Sequence, residues 1–148
     1  MTTLWDERER HALLTRLDRL TADTPARWGR FACPDMLAHV NDAMRMALGD
    51  LTPLPKKLPL RYFPLKQLAI YVLPFAKGLP TAPELIARKG RAVFPDEVKG
   101  FRELLARVAG RRDRADWPPH PAFGVMSRRD WGVLGSRHID HHFRQFGV

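Results

Sequence analysis

Ser127-Arg128-Arg129-Asp130-Trp131-Gly132-Val133-Leu134-Gly135-Ser136-Arg137-His138-Ile139-Asp140-His141-His142-Phe143-Arg144-Gln145-Phe146 carries the clearest start signal in this chain. Ser127 and Asp130 match a capping box, in which a hydroxyl and a carboxylate three residues apart each accept a backbone N–H. Met126 and Trp131 match the hydrophobic staple that brackets such a box. The pattern predicts a helix over 128–146. Trp131, Leu134, His138, His142 and Gln145 step by three or four residues and form one stripe of that helix, which turns from apolar to polar along its length. Gly132 and Gly135 lie inside the helix at a cost of ~1 kcal/mol each relative to Ala. That cost points to close approach of another helix, within a bundle or across a dimer seam.

Working outward, three more amphipathic stripes emerge. Leu13, Leu14, Leu17 and Leu20 predict a helix over 4–21, capped by Thr2 or Thr3 and ended by Thr24-Pro25. Met36, His39, Val40, Ala43 and Ala47 share a face of a helix over 34–48, with Pro34 at its first position and Gly49 as its stop. Val98, Phe101, Leu104, Leu105 and Val108 predict a third helix over 95–110, opened by Pro95 and closed by Gly110. Residues 50–63 read as a proline-rich basic connection, and Leu65, Leu68, Ala69, Val72 and Leu73 as a short apolar helix over 65–73. Residues 75–94 have no clear period, although Thr81 and Glu84 are spaced as a capping box. Residues 111–126 hold Trp117-Pro118-Pro119-His120-Pro121 and read as a stiff loop. Four stripes predict an all-α protein: a four-helix bundle with an additional short helix between the second and third main helices. At 148 residues, a single domain over 1–148 is expected.

Composition narrows the function classes. Lys and Arg total 25 against 16 acidic side chains, for a net charge of +9. The cations sit in mixed-sign company, as in Asp6-Glu7-Arg8-Glu9-Arg10. Their densest cluster, Arg111, Arg112 and Arg114, falls at a predicted helix end, where cations suit the dipole without any ligand. No specific nucleic-acid partner is expected. Residues 1–20 contain no apolar leader core, and the most apolar stretch, 58–79, is cut by Arg61, Pro64, Lys66 and Pro74. A cytoplasmic protein with no membrane partner is the expectation. One cysteine, Cys33, excludes an intramolecular disulfide framework. At a helix start it is either a favoured thiolate or a small half-buried cap residue.

The histidines hold the candidate chemistry. His138 and His142 are an i, i+4 pair on one helical face, close enough to share a metal ion. His39 lies on the inward stripe of another helix. Three imidazoles from two packed helices leave an open coordination position, as in catalytic metal sites. His138 with His141 is a rival pair, since His141 lies only 60° from His138 on the other side. The His-Glu-x-x-His arrangement of zinc proteases is absent, because Ile139 follows His138. His120, in the stiff loop, either reaches the mouth of a site or orders the loop. His11 sits among charged residues and reads as solvated.

The run from Ser136 to Phe146 resembles the last helix of the DinB/YfiT-like superfamily, in which a His-x-x-x-His pair precedes an Arg and a Gln. His39, within Met36-Leu37-Ala38-His39, matches the third metal-binding histidine of that family. The whole chain resembles an uncharacterised bacterial subfamily, on Leu17-Asp18-Arg19-Leu20, 36–50, Leu79-Pro80-Thr81-Ala82-Pro83 and 120–147. The resemblance implies a DinB-like four-helix bundle, a divalent metal such as zinc or nickel on His39, His138 and His142, and a homodimer. It also implies relatives that are thiol-dependent transferases and isomerases. Phe143 intervenes where the family has Arg directly after the last His; Gln145 keeps its spacing and Arg144 does not.

The expected function is therefore a divalent-metal-dependent transferase or hydrolase acting on a small molecule, with a low-molecular-weight thiol as a candidate partner. His120 and His141 are candidate catalytic proton carriers, and Trp131 and Gln145 candidate pocket residues. The alternative is a non-catalytic ligand-binding or interaction module whose metal site is structural, vestigial or absent. The surplus apolar side chains of 58–76 add to the expectation of a homodimer.

Overall fold

In the computed structural model, which describes residues 1–75, 77 and 81–148, the chain is all-helical: among these residues there is no strand, only an isolated bridge between His120 and Gly124. The Leu79-Pro80 pair of the family resemblance lies outside the described residues. In order, the helices are α1 (Glu7–Leu17), α2 (Cys33–Leu48), α3 (Leu65–Gln67), α4 (Phe94–Gly110) and α5 (Arg128–Gln145). α3 runs on into a π turn over Leu68–Val72. No described helix is long and apolar enough to cross a membrane.

The stripes do what their spacing requires. α2 packs against both α4 and α5, and α1 touches α5 and α4. Leu13 and Leu17 of α1, Met36, Leu37 and Val40 of α2, Phe101 and Leu105 of α4, and Ile139 and Phe143 of α5 form one buried cluster. A second cluster joins Met46 and Ala47 of α2 to Trp131, Val133 and Leu134 at the start of α5, with Ile70 and Leu85 from the connection between α2 and α4. The end of α5 thus faces the first cluster and its start the second, and His138 lies where they meet. Cys33 is buried in the first cluster, and burial pushes its thiol up to about 11, so it is a core residue and not an activated thiolate.

At the start of α5 the capping box forms as read: Asp130 N–H donates to Ser127 Oγ (3.1 Å) and Ser127 N–H to Asp130 Oδ2 (2.8 Å). Met126 and Trp131 are buried in one cluster, as a staple requires. α1 is shorter than expected. Asp6, not Thr2 or Thr3, caps it by accepting from Arg8 N–H (2.9 Å), and it ends at Leu17, ahead of Thr24-Pro25. A carboxylate with two acidic residues behind it starts a helix better than a threonine followed by Leu and Trp.

The freed residues 1–6 answer the glycine question. Leu4 N–H donates to Gly132 O (3.1 Å), and Trp5 Nε1–H to Arg128 O (3.0 Å). A Cβ on Gly132 would collide with Trp5 and Thr3, and one on Gly135 with Leu4. The close neighbour is the turn at Thr3–Asp6 of the same chain, not another helix.

The short helix and the π turn that continues it run from Leu65 to Val72, one residue inside the expected 65–73, and pack on α5 by one side only. Ile70 is fully buried, while Leu65, Leu68, Val72 and Leu73 face outward. Arg137 of α5 donates to the carbonyls of Ala69, Ile70 and Leu73, satisfying the end of the π turn. Tyr62 and Phe63 are also exposed, so several of the apolar side chains on which the homodimer expectation rested lie at the surface. Thr81 and Glu84 form no capping box. A single 3-10 turn, Pro83–Leu85, stands there, and the Glu84 carboxylate accepts from Leu54 N–H instead (3.2 Å).

Gly132→Ala should lower stability by about 1–3 kcal/mol, despite the better helix propensity of Ala, because the added methyl overpacks Trp5 and Thr3. Urea unfolding measures this, and a variant as stable as the parent would show that the N-terminal segment does not lie on α5.

Candidate metal centre

His39 projects from α2 at the head of a stripe that continues through Ala43, Met46 and Ala47. His138 and His142 project from α5. The three side chains each offer a ring nitrogen within 4.8 Å of the others. Their ring centroids are 5.0 Å (39–138), 4.8 Å (39–142) and 4.8 Å (138–142) apart, with interplanar angles of 80°, 75° and 87°. Three nearly perpendicular rings therefore converge edge-on. His141 stays out of the group: it packs against Trp28, and its imidazole is held below its usual range by burial. Between the two pairs the sequence allowed, the structure joins His142 to His39 and His138.

Hydrogen bonds fix which nitrogens face inward. His39 Nδ1 lies 3.1 Å from Leu85 O; a carbonyl only accepts, so Nδ1 carries the proton. Gln145 Nε2–H donates to Trp28 O (2.8 Å), which aims its Oε1 at His142 Nδ1 (2.8 Å). His142 Nδ1 therefore also carries the proton. On both rings Nε2 is left as a lone pair. His39 Nε2 and His138 Nε2 are 3.0 Å apart, so in the absence of a cation His138 Nε2–H donates to His39. Burial is the largest cause that favours the neutral form of all three, and repulsion from neighbouring imidazoles adds to it at His138 and His142. His142 is pushed down to about 3, His138 is held well below its ordinary value, and His39 is lowered. Neutral rings with Nδ1–H bonded to an oxygen behind them are the form in which histidine binds a metal. The donor set thus fits a divalent cation.

Several supports were not legible beforehand. Phe31 stacks on His39 (5.4 Å, 21°) and meets His142 edge-on (6.0 Å), closing one side of the group. Phe75 lies against His138 and His141. Gly29, with φ +82°, leaves room for the Gln145 amide, which a Cβ would strike. Behind Leu85 stands Arg88. It bonds Asp42 (3.1 Å), Glu97 and the carbonyl of Ala38 (3.2 Å), and both carboxylates are buried on α2 and α4. This clamp pins the segment whose carbonyl orients His39. No helical period announces it, because its members come from three separate elements.

The remaining predicted residues sit as follows. Trp131 is buried, lines the cavity in front of the histidines and donates Nε1–H to Pro118 O (3.2 Å). Gln145 also lines the cavity, but its hydrogen bonds make it the support of His142. His120 lines the cavity and orders its loop as well: its Nδ1 accepts from Ala122 and Phe123 N–H (3.1 and 3.3 Å). Arg144 is exposed and paired with Asp140 (3.0 Å), away from the histidines.

The chain belongs to the family described as "Protein of unknown function (DUF1569)", which matches residues 8–147. No curated protein and no solved structure matches it.

Two predictions follow from the supports. Arg88→Met should cost about 3 kcal/mol in urea unfolding, since it strips a partner from two buried carboxylates. An unchanged midpoint would show that the clamp is dispensable. For His120, burial and the Lys66 charge push the imidazole down to about 4. Below the unfolded value of about 6.5, the unfolded chain takes up a proton that the folded chain refuses, so stability falls from about pH 6.5 toward pH 4. His120→Asn keeps an acceptor for the two N–H groups and should lower the slope of stability against pH by roughly one proton in that window. An identical slope would mean that His120 is protonated in the folded state.

Proposed function

We propose that this protein is a DinB-like four-helix-bundle metalloprotein that binds one divalent ion, zinc or nickel, through Nε2 of His39, His138 and His142, and acts on a small molecule as a transferase or hydrolase. One observation carries the reading: three neutral imidazoles, two with Nδ1–H committed to oxygen acceptors, turn their remaining nitrogens on a common point. A divalent ion held by three neutral nitrogens supplies Lewis acidity at an open position. The chain itself does the rest. Leu85 and Gln145 orient His39 and His142. Phe31 and the aromatic cavity wall keep water scarce around the site. His141, neutral at pH 7 and on the cavity wall outside the group of three, suits proton transfer to or from a bound substrate. His120 is the weaker candidate for that role, because its Nδ1 is occupied. A low-molecular-weight thiol as co-substrate follows from the family resemblance.

Tag-free protein stripped of metal and titrated with zinc or nickel should bind one ion per chain at micromolar metal. His138→Ala and His142→Ala should abolish binding, Gln145→Leu should weaken it about 10–100-fold, and His141→Ala should leave it nearly unchanged. Uptake by none of the proteins would sink the proposal. Turnover of the loaded protein with small thiols and activated esters then separates an enzyme from a binding module.

A further inference from the structure

The three imidazoles form one end of a cavity of about 860 Å³, in the upper part of the range that small-molecule sites occupy. Its walls are aromatic and aliphatic; Trp28, Phe31, Phe75, Trp117, Phe123 and Trp131 all contribute. Sugars and other heavily hydroxylated ligands would find few partners there. The charges are one-sided. None of the 16 acidic residues lines the cavity, whereas Lys56 and Arg30 do. Neither of these cations makes an ion pair among the described residues. Lys56 is half-buried, and its backbone is anchored to the cavity wall by its N–H to Pro121 O (2.8 Å). It belongs to a run, 51–83, that has five basic side chains and no acidic one. The carboxylate that feels Lys56, Glu84, is half-buried, already accepts from Leu54 N–H (3.2 Å) and is not part of the cavity wall. A shallower pocket shares Trp28, Phe75 and His141 with the cavity and adds Lys77, Arg137 and Arg144; its one carboxylate, Asp140, already pairs with Arg16 and Arg144.

We infer that this cavity takes an amphiphilic anion, a molecule with an apolar body and one carboxylate-like group, and that Lys56 receives that group. The physical reason is desolvation. A cationic ligand would give up its hydration in a cavity with no counter-charge, whereas a carboxylate would meet a half-buried ammonium and an apolar wall for its body. The inference rests on the proposed function for where chemistry would occur on the ligand. Its account of binding does not use the metal.

The test is calorimetric titration at fixed ionic strength with decanoate, decanol and decylammonium, each below its micelle concentration, on metal-stripped and on zinc-treated protein. Decanoate should bind about tenfold or more tighter than decylammonium in both forms, with decanol between them. Lys56→Met should bring decanoate to within about twofold of decanol and leave decanol unchanged. Ala43→Trp, which fills the cavity from α2, should abolish all three while the helical circular dichroism persists. Equal affinity for decanoate and decylammonium would overturn the inference. So would a carboxylate preference seen only in the zinc-treated protein, which would assign the group to the metal and not to Lys56. Zinc uptake without binding of any of the three ligands overturns this inference and leaves the metal reading standing. Decanoate preference without zinc uptake does the reverse.

Discussion

The contact between α2 and α5 governs this structure, because it gathers three imidazoles in one place, two of them buried and His138 half-buried. Burying a histidine is tolerable only if the ring is neutral and its N–H has an acceptor. Leu85 supplies that acceptor for His39 and Gln145 for His142. Each supplier has requirements of its own. Leu85 sits on a segment with little regular structure, which is held by the Arg88 clamp to buried Asp42 and Glu97. Gln145 needs the Trp28 carbonyl and a glycine at 29 to admit its amide. The apolar stripes bring the helices together, and this second layer of polar bonds decides which nitrogens face the cavity.

The sequence made the long helices legible for a simple reason. A buried helical face must repeat every three to four residues, and caps must satisfy the orphan N–H groups. α2, α4 and α5 therefore begin and end within a residue of the expected limits. α1 was read too long because leucine spacing continues past its end: Leu20 is buried although it lies beyond the helix. The pair His138 and His142 was visible in the i, i+4 register, and His39 in the stripe of α2. What the sequence could not show was contact between segments that share no period. Phe31, Leu85 and Arg88 lie on connections, and their roles depend on where those connections cross the helices. Thr81 and Glu84 show the converse error: a local pattern suggested a cap, and a long-range bond from Leu54 took the carboxylate.

The charge distribution has the same character. A net charge of +9 describes the whole chain, but several arginines are matched one to one, as in Arg102 with Asp18, Arg107 with Asp50 and Arg128 with Asp113. Such exposed pairs add little stability, yet they neutralise the surface locally. The imbalance is instead concentrated in 51–83, the stretch between Asp50 and Glu84. That stretch supplies Lys56, Leu58, Leu60 and Phe75 to the cavity lining, and the exposed apolar residues of the short helix. Five of the nine net positive charges thus fall in one stretch of 33 residues that also lines the cavity.

The hydrogen bonds of the three histidines go beyond what filling space requires. If the rings served only to fill space, leucine or phenylalanine would fill it without desolvating three polar groups. The bonds instead leave lone pairs facing one another: Nε2 of His39 and of His142 are both acceptors, and His138 has one Nε2–H to offer. One donor serves His39, and the hydrogen bonds of His142 use only its Nδ1. Packing alone gives no reason to converge acceptors on a point with too few donors. A divalent cation at that point would use these lone pairs, so the group could hold one.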